Sequence, residues 1–284
     1  MKTKYDKVTK GIIFAGCSFT WGSGLWYYSK LPTIIEQTGQ SFHTQKMNIS
    51  HIDYMKSVRF PRIVANHFNT FEIVNPNNGG SNETMLEWWK NCFTNGVRGY
   101  KAFDLIYPYL DYNEISYFVV QLTHWNRDNF TLNYNNEEIK KELFGWIDEH
   151  NPINSILMQW LSDNDMSVED FISNEIIKNI KNIKEFLEHL ETFNIKTILF
   201  TWTPEYVDFI ESDKWLKDRF IQFNYKNINY NCLESLMDEN KELMIKYDFE
   251  NLENPADDEH PSIGCHKLIA EHIINKINIY ENKI

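Results

Sequence analysis

Two residues in this chain have the types and surroundings for nucleophilic catalysis: Ser18, near the start, and His260, near the end. Ser18 follows a short apolar run, Ile12-Ile13-Phe14-Ala15, which stops at Gly16; a second glycine, Gly22, comes four residues after the serine. A glycine at a strand end has no Cβ to exclude positive φ, so the chain can turn sharply and lift Ser18 to the rim of a sheet. A serine hydroxyl attacks only with a general base beside it. The segment Asp257-Asp258-Glu259-His260-Pro261-Ser262 supplies an imidazole with acids close by in one short loop.

The elements that must position these groups read as alternating strands and helices, the pattern of a mainly parallel sheet. Strands are expected at 11–15, 71–74, 116–122 and 196–202, with a short fifth near 247–249. Tyr117-Phe118-Val119-Val120 has the composition of a strand buried on both faces. Helices are expected at 58–68, at 83–95 and, most clearly, at 170–193. In that last stretch Phe171, Ile172, Ile176, Ile180, Ile183, Leu187 and Leu190 recur at helical spacing and form a core stripe. Ser262 is placed to cap a final helix carrying Ile263, Leu268, Ile269, Ile273 and Ile277. His266 and His272 on that helix read as structural. Residues 205–245 give no clear periodicity.

Gly16-x-Ser18-x-x-x-Gly22, the glycine-rich Asn75-Pro76-Asn77-Asn78-Gly79-Gly80-Ser81-Asn82 after the second apolar run, and Asp257-x-x-His260 stand in the order found in one family. Together they resemble the SGNH (GDSL-type) hydrolases. The resemblance implies an α/β fold, a three-layer α/β/α sandwich of flavodoxin-like type with about five mainly parallel strands. It spans residues 1–284 as a single domain, with insertions near 23–57 and 128–168. It also implies a triad of Ser18, Asp257 and His260, with Asp258 as the competing acid. The oxyanion hole would be built from the Ser18 and Gly80 amides and an asparagine side chain. Two departures stand out. Cys17 occupies a place where the family has Asp, and the third block reads Thr123-His124-Trp125-Asn126, with Trp125 where the asparagine belongs. Asn126, one step later, is the expected third donor, with Asn82 and Thr123 as alternatives. Loss of one such donor costs about 10²–10³ in rate, so the change weakens an esterase without abolishing it.

The implied activity is acyl-ester hydrolysis by a serine nucleophile. Carbohydrate O-acetyl esters are one candidate substrate, and acyl transfer to a sugar is a variant of the same chemistry. Trp21, Trp26, Tyr27, Tyr28 and Trp125 offer flat faces for a sugar ring, or else fill a core. Arg127 either pairs with an anionic substrate group or makes a surface ion pair. The alternative is a non-catalytic binding or structural module, favoured by Trp125 at the asparagine position. Cys17 as the reactive group is a weaker option, because a cysteine buried at a strand end is usually inert.

Bulk properties narrow the field further. A net charge of −12 over 284 residues disfavours nucleic-acid and anionic-membrane partners. No stretch approaches the ~20 apolar residues of a membrane span. The four cysteines lack the Cys-x-x-Cys spacing of zinc or redox sites, so no metal or cofactor is expected. Phe14-Ala15-Gly16-Cys17 matches a lipoprotein cleavage box, but only residues 11–15 separate Lys10 from it, too few for the apolar stretch of about 7–15 that a signal peptide needs. A cytoplasmic location and a small-molecule or carbohydrate ester substrate are therefore expected.

Overall fold

The computed structural model describes residues 10–22, 24, 25, 28, 49–74, 81–94, 97–100, 105–107, 111–134, 137–142, 152–245 and 260–282. In chain order, β1 (Gly11–Ala15) leads into the one-turn helix α1 (Ser18–Trp21), then α2 (Ile49–Val58), α3 (Phe60–His67) and β2 (Glu72–Val74). After α4 (Asn82–Thr94) come β3 (Val97–Tyr100), β4 (Leu105–Tyr107) and the long strand β5 (Ile115–Leu122). A hairpin of β6 (Asn129–Tyr134) and β7 (Glu137–Glu142), then α5 (Pro152–Asp163), precede α6 (Val168–Glu191) and β8 (Lys196–Thr201). The remainder holds α7 (Val207–Ser212), α8 (Lys214–Lys217), β9 (Phe223–Tyr225), β10 (Ile228–Tyr230), α9 (Leu233–Glu239) and α10 (Ile263–Glu281).

The main sheet has the order β2-β1-β5-β8, with every pair parallel. Phe220 extends its outer edge by a single parallel bridge to Leu199. The sheet thus has four strands and one bridge where about five strands were expected; the segment 247–249, expected as the fifth, lies outside the described residues. Side chains alternate between two cores, as a sheet buried on both faces requires. Ile13, Ala15, Phe118, Val120 and Leu199 pack with α4 and α6 through Leu86, Trp89, Ile183 and Leu187. Ile12, Phe14, Val119, Ile198 and Phe200 pack with α3 and α10 through Phe60, Val64, Ile269 and Ile273. The result is a three-layer α/β/α sandwich.

Local chemistry sets the helix boundaries. The helix expected over 58–68 is α3, which starts only at Phe60 because Arg59 is extended (φ −76°, ψ 152°), while Val58 ends α2. Pro61 lies in its first turn, where a missing N–H breaks no helical bond. α2 falls within the expected insertion at 23–57, and the β6–β7 hairpin and α5 within that at 128–168. Ser167 caps α6 by accepting from the Asp170 amide at 3.0 Å, and Ser262 caps α10 by accepting from the Cys265 amide at 3.4 Å.

The chain passes from β1 to β2 on one side and later from β2 across to β5 on the other side of β1. The crevice beyond the carboxyl ends of β1 and β5 is therefore the topological switch point, where open α/β sheets place their ligands. Ser18 follows β1 and residues 123–128 follow β5 at that point.

Candidate active site

Gly16 ends β1 and Cys17 leads into α1, so Ser18 occupies the first position of a single helical turn. Gly22 closes that turn in the left-handed conformation (φ 89°), its amide donating to the Ser18 carbonyl at 2.9 Å. Positive φ was expected at Gly16, and the structure corrects this: among the described glycines only Gly22 and Gly24 have it. Gly16 is required for space instead. A Cβ there would run into Thr20 Oγ1 and lie 2.9 Å from Thr20 Cβ and 3.1 Å from Gln121 Cβ. Thr20 Oγ1 donates to Gln121 Oε1 at 2.6 Å, and Gln121 Nε2 donates to Cys17 Sγ at 3.6 Å. Gln121, itself buried on β5, thereby ties the turn to the neighbouring strand.

His260 reaches the serine from the other end of the chain: its Nε2 lies 3.1 Å from Ser18 Oγ. Its backbone is pinned by the Ile245 amide, which donates to the His260 carbonyl at 2.9 Å, and by the antiparallel bridge of Pro261 to Met244. The imidazole packs on Phe19 with centroids 4.7 Å apart, and Phe19 stacks on Trp202 at 3.9 Å. Ser18 and His260 are both 8% exposed. That is a buried hydroxyl–imidazole pair at proton-transfer distance.

Other expected site residues are placed less uniformly. Asp257, Asp258, Gly80, Trp26 and Tyr27 lie outside the described residues. Trp21 is buried, with its ring under the Arg59 guanidinium at 5.0 Å. Trp125 is 7% exposed and belongs to the core on the α4–α6 face. Asn126 is half-buried in the 3₁₀ turn Trp125–Arg127. Arg127 is also half-buried, with Nη1 shielded from solvent and no hydrogen-bond partner among the described residues.

Asn82 takes a role that sequence reasoning missed. Its Nδ2 donates to the Thr123 carbonyl at 2.9 Å and to Tyr206 Oη at 2.8 Å, and its Oδ1 accepts from the Thr123 amide at 2.9 Å. The side chain laces the first residue of α4 to the end of β5, leaving neither amide hydrogen for a ligand. Thr123 Oγ1 is buried beside the Cys17 thiol, with no hydrogen-bond partner of standard geometry among the described residues.

Behind this lacing lies Asp128. Its Oδ1 accepts from the Glu83 amide and its Oδ2 from Asn179 Nδ2, each at 2.7 Å. Burial pushes its carboxyl up to about 6, outweighing the Glu83 amide that favours the anion. Burial likewise pushes the Cys17 thiol up, against the opposing pull of the Phe19 amide and the Arg127 guanidinium. His266 is fully buried and accepts from the Phe60 amide at 3.2 Å through Nδ1. Burial, then the charges of Arg59 and His260, push it down to about 3, so it stays neutral and joins α10 to α3. His272 Nε2 accepts from the Asn224 amide at 2.8 Å. Among the described residues no cluster of three or more His, Cys, Asp or Glu could hold a metal, and no helix is long and apolar enough to cross a membrane.

No family model and no curated relative matches the chain. Solved structures do. An acetyl xylan esterase from the rumen bacterium Butyrivibrio proteoclasticus matches at 12% identity and TM-score 0.46, covering 97% of this chain and 65% of its own. A carbohydrate esterase, described as having divergent catalytic and non-catalytic binding functions, matches at 12% identity and TM-score 0.41, over 96% and 65%. A protein assigned to the G-D-S-L lipolytic family, from Desulfitobacterium hafniense, matches at 10% identity and TM-score 0.38, over 94% and 99%. The chain spans about 65% of the length of the two carbohydrate esterases.

Proposed function

We propose that the chain is an acyl-ester hydrolase of SGNH type, a single domain with two insertions, in which Ser18 is the nucleophile and His260 the general base. The 3.1 Å contact between Ser18 Oγ and His260 Nε2 at the switch point of the sheet carries this reading. His260 takes the hydroxyl proton as Oγ attacks the ester carbonyl, then returns it to the departing alcohol; water resolves the acyl-enzyme by the same route. Asp257 is assigned to hold the imidazole. The Ser18 and Gly80 amides are assigned to the oxyanion, with Asn126 as the third donor, since Asn82 is committed to Thr123 and Tyr206. Trp21 and Trp125, each buried in one of the two cores, are assigned to the floor of the crevice, and Arg127, whose Nη1 has no partner among the described residues, to an anionic part of the substrate. A carbohydrate O-acetyl ester is the substrate class of choice, and a sugar hydroxyl in place of water makes the same site an acyltransferase.

The test is labelling by a fluorophosphonate and turnover of p-nitrophenyl acetate. Ser18→Ala and His260→Ala should each remove nearly all activity in a folded protein, and Asn126→Ala should lower kcat by about 10² with KM little changed. Full activity in folded Ser18→Ala would overturn the assignment. A second reading, a non-catalytic module of the same fold, is favoured by one observation: Trp125 fills the asparagine position and is buried in the core. A wild-type protein that never labels at Ser18 decides for it.

A further inference from the structure

The turn bearing Ser18 is held from a second direction, by a buried ion pair that no sequence motif marks. Arg59 stands at the break between α2 and α3, and its side chain is 4% exposed. Nη1 donates to the Trp21 carbonyl at 3.1 Å, and Nη2 donates to Glu72 Oε1 at 2.9 Å. Glu72, on the edge strand β2, also accepts from Arg62 Nη2 at 2.9 Å. The Arg59 guanidinium carbon lies 5.0 Å from the centre of the Trp21 ring.

The chemistry of the accepting group makes this arrangement informative. Trp21 contributes the last carbonyl of α1, one of those a helix leaves without an internal partner. A cation is favourable there because the carbonyl dipoles point toward it. The same peptide unit carries the Gly22 amide, which donates to the Ser18 carbonyl at 2.9 Å. One peptide plane is thus gripped on its oxygen side by Arg59 and on its nitrogen side by Ser18. A rotation of that plane moves the nucleophile's own backbone. An apolar side chain could fill the gap between α1 and β2 without burying a charge, and well-packed apolar replacements of buried ion pairs are often neutral or stabilising. A planar guanidinium does what an apolar chain cannot: it fixes three directions at once, toward a carbonyl, a carboxylate and a ring.

We propose that Arg59 and Glu72 are a positioning pair that sets the orientation of the α1 turn and hence the Ser18–His260 distance. The pair acts through the Trp21–Gly22 peptide and touches no substrate. This inference rests on the reading of Ser18 as the nucleophile.

The test compares Arg59→Met/Glu72→Gln, which removes both buried charges together, with Glu72→Gln alone and with Arg59→Lys. The double variant should fold with a melting temperature near that of the wild type. The rate at which a fluorophosphonate phosphonylates Ser18 and its kcat should fall at least tenfold, with KM within twofold. Glu72→Gln, which keeps the Arg59–Trp21 contact, should lose less, and Arg59→Lys, which keeps a donor for Trp21, should recover part of the rate. A folded double variant that is phosphonylated at the wild-type rate overturns the proposal. Should the double variant fail to fold, a wild-type phosphonylation rate in Arg59→Lys overturns it equally. The ¹⁵N signal of His260 Nε2 reports the bond to Ser18 without turnover. It should shift in the double variant toward its value in Ser18→Ala, and an unmoved signal is a refutation. If the wild-type protein itself does not label, the esterase reading fails, and this signal still decides the positioning pair.

Discussion

Replacing Gly16 by alanine probes how tightly the turn bearing Ser18 is built. The added methyl would occupy the place of Thr20 Oγ1, 2.9 Å from Thr20 Cβ and 3.1 Å from Gln121 Cβ. Thr20 must rotate away, breaking its 2.6 Å bond to Gln121 and leaving the Gln121 oxygen buried without a donor. An unsatisfied buried acceptor costs about 1–3 kcal/mol, and forcing a methyl into a filled core costs about 1–3 kcal/mol more. The total, about 2–6 kcal/mol, lowers the melting temperature by roughly 3–10 °C in a chain of 284 residues. Because the collision lies two residues from Ser18, phosphonylation by a fluorophosphonate should fall further than the loss of folded protein accounts for. Thermal unfolding by circular dichroism and phosphonylation kinetics below the transition separate the two effects. Gly16→Ala/Thr20→Ala removes the hydroxyl from the collision and should recover part of the melting temperature, with the remaining crowding at Cβ preventing full recovery. A Gly16→Ala protein that melts within about 2 °C of wild type and is phosphonylated normally would refute the argument from space.

Further expectations concern buried titratable groups. Asp128 holds its proton in the folded state to about pH 6, against an ordinary 3.8. Between these values the folded-state carboxyl holds a proton that the unfolded one has lost, so the contribution of Asp128 to stability is fullest below pH 4 and is lost as pH rises through 6. Asp128→Asn should remove that fall, worth about 3 kcal/mol across the window at about 1.4 kcal/mol per unit. Urea unfolding at pH 4 to 8 checks this, and parallel curves for the two proteins would contradict it. All four cysteines are buried, and burial pushes the Cys92 and Cys265 thiols up to about 12. The native protein should therefore resist a thiol reagent at pH 8 and react at all four positions once unfolded, whereas rapid native reaction at Cys17 would return it to candidacy as the reactive group.

The residues that meet at the site were legible where their types alone imply chemistry. Ser18 after an apolar run and His260 before a capped helix come together as expected, and the strands at 11–15, 71–74, 116–122 and 196–202 match the main sheet within a residue. The supports were not legible. Arg59 and Glu72 lie 13 residues apart and meet only once α3 turns the chain back along β2. Asn82 bonds to Thr123 across 41 residues and to Tyr206 across 124, so only the packed fold shows that its amide is spent. The β9–β10 hairpin within 205–245 turns through Lys226 and Asn227, both at positive φ, without the glycine that announces such a turn. Gly16 was singled out correctly for its lack of Cβ, but the constraint comes from Thr20 across one helical turn rather than from its own φ.

The Ser18–His260 contact joins positions 242 residues apart. On a ribosome adding about 5–20 residues per second, the serine is made roughly 12–50 s before the histidine it contacts. Throughout that interval the growing chain has the hydroxyl without its imidazole. It also lacks α10, which packs on α3 and supplies the His266 acceptor for the Phe60 amide. The segment that delivers the histidine is thus the one that closes this face of the sheet. On the proposed reading, a nascent chain, or one clipped before His260, holds Ser18 without the base its attack requires.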